Sequence, residues 1–188
     1  MAELTKDGGG AMAAIIGIPL AQVETYCHST GSYIANDNAE GQAVISGDMA
    51  AVDEASNIAA MESPKKIMRL DVAVAFHTPL MYEAAEKLQK ELEHVAPQDP
   101  TVPVLMNVTA EPLTKAEEVK ARLTQQVTQR VRWRESMQYA AKQGITQVVE
   151  LGNGKVLTGL AKRCDPALVG TSLTSPWEID EFLEAEGL

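Results

Sequence analysis

The sequence predicts an α/β protein in two parts, and three observations carry that expectation. Residues 11–70 alternate apolar runs with helical spacings in the order strand, helix, strand, strand, helix, strand. That order is the ferredoxin-like, split-βαβ pattern. The later residues alternate helix and strand, as part of an open α/β sheet does. Apolar residues make up 45% of the 188 and charged residues 22%, enough to bury one core or two small ones. Aromatics are only 4%, so the core must be built from Ala, Val, Ile, Leu and Met.

The elements follow in order. Residues 1–10, with Gly8-Gly9-Gly10, read as a frayed start. Residues 11–18 read as a buried strand. Pro19 opens a helix on which Leu20, Val23 and Cys27 share a face. Residues 32–35 read as a short strand, 36–41 as a polar loop, and 42–46 as the next strand. Asp48 is placed to cap a helix over 49–61, and 67–70 closes the group as a strand. From Pro79 to Val95, Leu80, Ala84, Leu88, Leu92 and Val95 form one helical stripe. Residues 102–108 read as a strand. Pro112 and Thr114 open a helix to about 127, and a further helix runs over 135–143, closed by Gly144. ITQVVEL, residues 145–151, reads as a strand buried on both faces. A helix over 156–163, a strand over 167–171 and a helix over 176–184 complete the chain.

The formal net charge of −10 argues against nucleic acid and against an anionic membrane surface, since both want a basic face. A small anionic substrate needs only one or two local cations and stays open. Cys27 and Cys164 belong to no C-x-x-C or Cys/His cluster, so no metal site is expected. They read as free thiols of a reduced cytoplasm. The longest apolar run, 11–21, is broken by Gly17 and Pro19 and falls short of the ~20 residues that span a bilayer. No signal peptide is visible, and the chain reads as cytoplasmic.

Of the three histidines, His28 at a helix end and His94 beside Glu91 and Glu93 read as solvated. His77 differs. It sits in VAFHTPLM between a strand-like apolar run and a proline, at the kind of junction where α/β proteins carry functional groups. The residues alone leave a structural role and a catalytic base equally open. A base serves a Ser or Cys nucleophile. The G-x-S-x-G elbow that presents one in α/β enzymes does not occur in these residues. Ser46 lacks the first glycine. Ser136 and Ser175 read as ordinary polar positions near helix starts, and Cys164, beside Lys162 and Arg163, reads as structural. Gly152-Asn153-Gly154-Lys155 matches neither phosphate-loop nor dinucleotide spacing and reads as a tight strand-to-helix turn. The Glu/Lys runs at 83–93 and 115–120 read as solvated helix faces.

Taken in order, these pieces resemble a known family. Gly10-Ala11-Met12-Ala13-Ala14-Ile15-Ile16-Gly17 resembles the GAMAAIIG strand of malonyl-CoA:acyl carrier protein transacylases. Ala35-Asn36-Asp37-Asn38, with Gly41-Gln42-Ala43-Val44-Ile45-Ser46-Gly47, resembles their AN-N-x-x-GQ-x-VISG segment. Phe76-His77-Thr78-Pro79-Leu80-Met81 resembles their FHSPLM motif. Gln126 with Val131-Arg132-Trp133 resembles their Q-L…PV-x-W segment, and Glu150 to Leu160 resembles their E-x-GPGKVLTGL turn. The departures are Asn153 and Arg130, each where the family has proline.

The resemblance implies a fold of a ferredoxin-like (βαββαβ) small subdomain, residues 8–72, and the C-terminal part of an α/β-hydrolase-like large subdomain, residues 73–188. It implies acyl transfer from malonyl-CoA to the phosphopantetheine thiol of acyl carrier protein in fatty-acid synthesis, with no cofactor. His77 is then the base, and a carbonyl at Gln126 orients its ring. Asn36 and Asn38 line the acyl pocket, and Phe76 fills the space a branched acyl group would take. The family's serine elbow, the arginine that clamps the malonyl carboxylate and an oxyanion-hole glutamine precede the GAMAAIIG strand and have no match here. The chain is therefore expected to be inactive alone, to expose apolar faces in its second part, and to need a nucleophile-bearing N-terminal segment. Alternatives are a non-catalytic carrier-protein-binding module and one half of a split acyltransferase.

Overall fold

The run Gly10–Ile16 is small or apolar along its whole length and forms β1, buried through its centre. The computed structural model describes residues 9–187; the frayed start read from residues 1–10 lies, up to residue 8, outside them. β1 is flanked by β3 (Gln42–Asp48) and β4 (Lys66–Arg69), antiparallel to both, and β2 (Tyr33–Ala39) pairs with β3. The sheet order is β2-β3-β1-β4. Successive side chains of a strand point to opposite faces, and here each face has its own core. Ala11, Ala13 and Ile15 meet α1 (Leu20–Thr30) and α2 (Met49–Ala60) through Val23, Tyr26, Cys27, Val52, Ala55 and Ala59. Met12 and Ala14, with Ala35 and Val44, are covered by Leu70, Val72 and Phe76.

The predicted order of these six elements is the order found, but three local expectations fail. Residues 36–39 are strand, not loop. β2 keeps running because it has partners on both sides, and it absorbs Ala35 and Asn38 as register shifts against β3. Asp48 stands at the N-terminus of α2, but its side chain makes no capping bond. The apolar run before His77 is not a strand; it crosses the second face of the sheet as bends and turns, with Leu70, Val72 and Phe76 facing the core.

The described chain forms two compact units, divided between Ser136 and Met137. In the first, Pro79–Met81 makes a short 3₁₀ turn into α3 (Tyr82–Glu93), which packs against α4 (Ala116–Thr128). The strand predicted over 102–108 shrinks to β5 (Val104–Met106), in a hairpin with β6 (Glu111–Leu113). Pro112, read as a helix opener, therefore lies in a strand. α4 starts later, where the Asp99 carboxylate accepts from the Ala116 amide at 2.8 Å and from Lys115 Nζ at 3.0 Å. α5 (Trp133–Lys142) crosses the division.

The second unit is a βαβ: β7 (Gln147–Leu151), α6 (Val156–Cys164) and β8 (Val169–Leu173), with the strands parallel, followed by α7 (Pro176–Glu186). Ser175 and Glu178 form a reciprocal capping box on α7. The Gly152–Lys155 segment is a strand-to-helix turn, with Gly152 and Gly154 at φ 130° and 99°. Glu150 fills the N-terminus of α6, accepting from the Thr158 amide at 2.8 Å and its hydroxyl at 2.7 Å. The Thr158 amide above all holds its carboxyl below the usual carboxylate range. An anion-binding loop would need that helix end free. β7 is not buried on both faces. Among the described residues it has only β8 beside it, and Val149 and Leu151 are exposed, as are Val156, Leu157 and Val169.

One glycine sets where the His77 segment lies. A Cβ on Gly10 would sit 2.6 Å from the Ala75 amide nitrogen and 2.8 Å from the Val74 carbonyl carbon. Neither backbone atom can swing away as a side-chain tip would. Gly10→Ala is expected to destabilise the chain by about 1–3 kcal/mol and to broaden the amide signals of Val74 and Ala75, read by chemical denaturation and amide NMR.

Candidate active site

Thr78 is wholly buried, and its hydroxyl donates to the Ala75 carbonyl at 2.7 Å, closing a turn around Phe76 and His77. Pro79 pushes the residue before it toward extended backbone, and Thr78 is found at φ −131°, ψ 161°. His77 absorbs the reversal at φ 60°, in the left-handed region. That region costs a residue with a side chain on the order of 1–2 kcal/mol, histidine included, although Asn, Asp and His occupy it more often than the rest. Phe76 leans on Met12, Ala14, Ala35 and Val44, which holds the turn against the sheet.

The imidazole is held from the opposite side. His77 Nδ1 lies 2.8 Å from the backbone carbonyl oxygen of Gln126. A carbonyl only accepts, so Nδ1 must carry the proton. In the neutral ring, Nε2 is then left with its lone pair. The carbonyl is available because Gln126 lies in the last turn of α4, where helical carbonyls have no intrahelical partner. The Gln126 side chain plays another part, its Nε2 donating to the Gln129 carbonyl at 3.1 Å.

Residues 129–131 then return to the sheet. The Val131 amide donates to the Ala35 carbonyl at 2.8 Å, and the Asp37 amide donates to the Val131 carbonyl at 2.9 Å. Asn36 is thus the bridge partner of Val131. Asn38 lies half-buried at the second register shift of β2. So the structure joins His77 to Gln126 and seats Phe76 beside them on the sheet. It places Asn36 and Asn38 on β2 and leaves Asn36 outside the His77–Gln126 hydrogen bond.

Around Val131 three arginines alternate along the chain, each with a carboxylate. Arg130 meets Glu24 at 2.7 Å. Arg132 grips Glu135 and donates to the Thr109 carbonyl at 2.9 Å. Arg134 donates to both oxygens of Asp37, at 2.9 and 3.0 Å from Nε, and to Glu40 at 2.9 Å. Asp37 is 1% exposed. These pairs went unread in the sequence, because Asp37 and Arg134 lie 97 residues apart. The alternation R-V-R-W-R was the available signal.

No family model matches the chain. Curated relatives and solved structures do. The chain is 37% identical to the malonyl CoA-acyl carrier protein transacylase of Escherichia coli K12 over 98% of its length, and 37% identical to that of Bacillus subtilis over 96%. It superimposes on the acyl-carrier-protein S-malonyltransferase of Bartonella henselae with a TM-score of 0.93 over 100% of its length, at 37% identity. For the Xanthomonas oryzae transacylase the TM-score is 0.90 over 97%, again at 37% identity. The chain is a homologue of the C-terminal portion of malonyl-CoA:acyl carrier protein transacylases. It spans about three-fifths of those relatives, 61% and 58% of the two curated ones and 61% and 60% of the two structures.

Both departures from the transacylase motifs have a place. Arg130 gains Glu24 as an ion-pair partner. Asn153 falls between the two left-handed glycines of the turn into α6. Ser46 is buried in β3, and Cys164 is a half-buried cysteine at the end of α6. Among the described residues no three His, Cys, Asp or Glu side chains are grouped to hold a metal, and no helix is long and apolar enough to cross a membrane.

The carboxylates raise the pKa of their arginines: Asp37 acts so on Arg134, and Glu135 on Arg132. Conversely, the bond to Arg132 holds the Glu135 carboxyl below its ordinary value. A carboxyl depressed by folding adds stability above its unfolded pKa, roughly 4.3, and loses it as pH falls through the folded value. Glu135→Gln should therefore cost about 0.5–1 kcal/mol at neutral pH, with the gap to the parent closing as the pH drops through the acid range, measured by urea titration at a series of pH values.

Proposed function

We propose that these residues form the base-bearing part of a malonyl-CoA:acyl carrier protein transacylase of fatty-acid synthesis. The single observation that carries this is the His77 Nδ1–Gln126 carbonyl hydrogen bond of 2.8 Å, which leaves Nε2 as the acceptor. A general base must be held in one tautomer, aimed at the proton it takes.

The chemistry runs in two acyl transfers. A serine hydroxyl attacks the thioester carbonyl of malonyl-CoA while Nε2 of His77 takes its proton. The tetrahedral intermediate collapses, the coenzyme A sulfur leaves, and His77 returns the proton to it. The phosphopantetheine thiol of acyl carrier protein then attacks the acyl-serine while His77 takes the thiol proton, and as the serine ester bond breaks His77 passes that proton to the serine oxygen. The imidazolium formed between steps keeps its Nδ1–H on the carboxyl end of α4, where the helix dipole favours a cation. No cofactor enters. The serine comes from residues outside these 188, which contain no G-x-S-x-G. Asn36 and Asn38 line the acyl pocket, and Phe76 closes it to branched acyl groups. That role is supported by its seat on the sheet beside His77.

The βαββαβ order and the β2-β3-β1-β4 antiparallel sheet support reading residues 8–72 as a ferredoxin-like subdomain, with 73–188 as the C-terminal part of an α/β-hydrolase-like one. The exposed apolar side chains of β7 and β8 support a partner segment there. Acyl carrier protein as partner is supported by a relative: a type II polyketide malonyl-transacylase, 33% identical, was solved in complex with its acyl-carrier protein. The reading places the chain in the cytoplasm.

The test is intact mass after incubation with malonyl-CoA, with and without a polypeptide bearing the family's serine elbow. Malonylation of the added polypeptide only in the presence of this chain, slowed about 10²–10⁴-fold by His77→Ala, is the expected result. A malonyl adduct on this chain alone would put the nucleophile within it, at Cys164 or Ser46. Carrier-protein binding with no acylation in any combination would make it a binding module.

A further inference from the structure

The three-arginine stretch has no role in the function just proposed, yet it lies between the sheet and the carbonyl that holds the histidine. From Gln126, the chain leaves α4 at Thr128 and docks on β2 through Val131. It is then pinned by Arg134 to Asp37, the residue whose own amide binds Val131. Asp37 is 1% exposed and its carboxylate is gripped by both Nε and a terminal nitrogen of Arg134. A bidentate guanidinium–carboxylate pair fixes orientation as well as distance. Beside these two backbone bonds, the Arg132 amide donates to the Asn107 carbonyl at 2.8 Å. The ion pair, three residues past Val131, adds a side-chain fork to β2 itself.

We propose that Asp37 and Arg134 are positioning residues for His77. They fix the 129–134 segment on β2, and through it the Gln126 carbonyl that selects the Nδ1–H tautomer. The proposal rests on reading His77 as the base for its catalytic meaning, but its physical content is the tautomer itself, which is measurable without turnover.

The experiment is long-range ¹H–¹⁵N NMR on the whole chain labelled with ¹⁵N-histidine, at a pH where the rings are neutral. His28→Gln and His94→Gln, both at exposed positions, assign the His77 signals. The parent should show Nδ1 of His77 protonated and Nε2 bare. Arg134→Lys keeps the charge and removes the fork, and should convert more than half of His77 to the other tautomer. Asp37→Asn should do the same. Val52→Ala, in the core on the other face of the sheet, is the control: it lowers stability and should leave the tautomer unchanged. The proposal is overturned if Arg134→Lys, folded by circular dichroism, keeps the parent tautomer. It is equally overturned if Val52→Ala shifts it as far, or if the parent lacks the Nδ1–H form. Should Asp37→Asn fail to fold, Arg134→Lys still decides. Failure of acylation with these tautomer results intact would sink the base assignment and not the positioning role.

Discussion

Two hydrogen bonds between Val131 and β2 tie the end of α4 to the first unit's sheet. One runs from the Val131 amide to the Ala35 carbonyl, the other from the Asp37 amide to the Val131 carbonyl. They give β2 a neighbour on the side away from β3, so a stretch spelled Ala-Asn-Asp-Asn-Ala remains extended. They also return the chain to the sheet just after α4, which brings the carboxyl end of that helix toward His77. Gly10 does the complementary work from the central strand. Its missing side chain lets Val74 and Ala75 approach the sheet backbone, so the histidine turn lies against a rigid surface.

The hydrogen bond at the end of α4 joins two needs that separately carry a cost. A helix leaves its last carbonyls without partners, and a histidine that is to act through one nitrogen must have the other committed. Here each supplies what the other lacks. The same economy recurs in the second unit. The amides opening α6 would be unsatisfied, and Glu150 at the end of β7 accepts from them. In both places a helix terminus is completed by a side chain from a different element.

What was legible in the sequence was whatever has a local cause. GAMAAII is apolar on both faces and forms a central strand with a core on each side. Leu20, Val23 and Cys27 mark a helix face by spacing alone, and Val23 and Cys27 are buried. His77 stood out by its place before a proline, and the structure puts it on a tight turn with its ring held. The failures share a nonlocal cause. Asn36 to Ala39 carry turn chemistry and form a strand because Val131, about a hundred residues on, pairs with them. The apolar run before His77 has strand composition, but its burial comes from lying across a sheet. The start of α4 is set by Asp99, 17 residues before Ala116. β7 has the composition of a strand covered on both faces, yet it is half-exposed, with β8 alone beside it among the described residues. Asp37 and Arg134 were invisible for the same reason: nothing in either neighbourhood names the other.

The left-handed backbone at His77 has a consequence for how this position evolves. Glycine would occupy φ 60° without strain, and asparagine with little. Selection for a well-folded chain alone would drift toward them, and each would shed the cost that histidine imposes. A chain with histidine here holds back stability it had within reach, a trade in keeping with the role proposed for its ring.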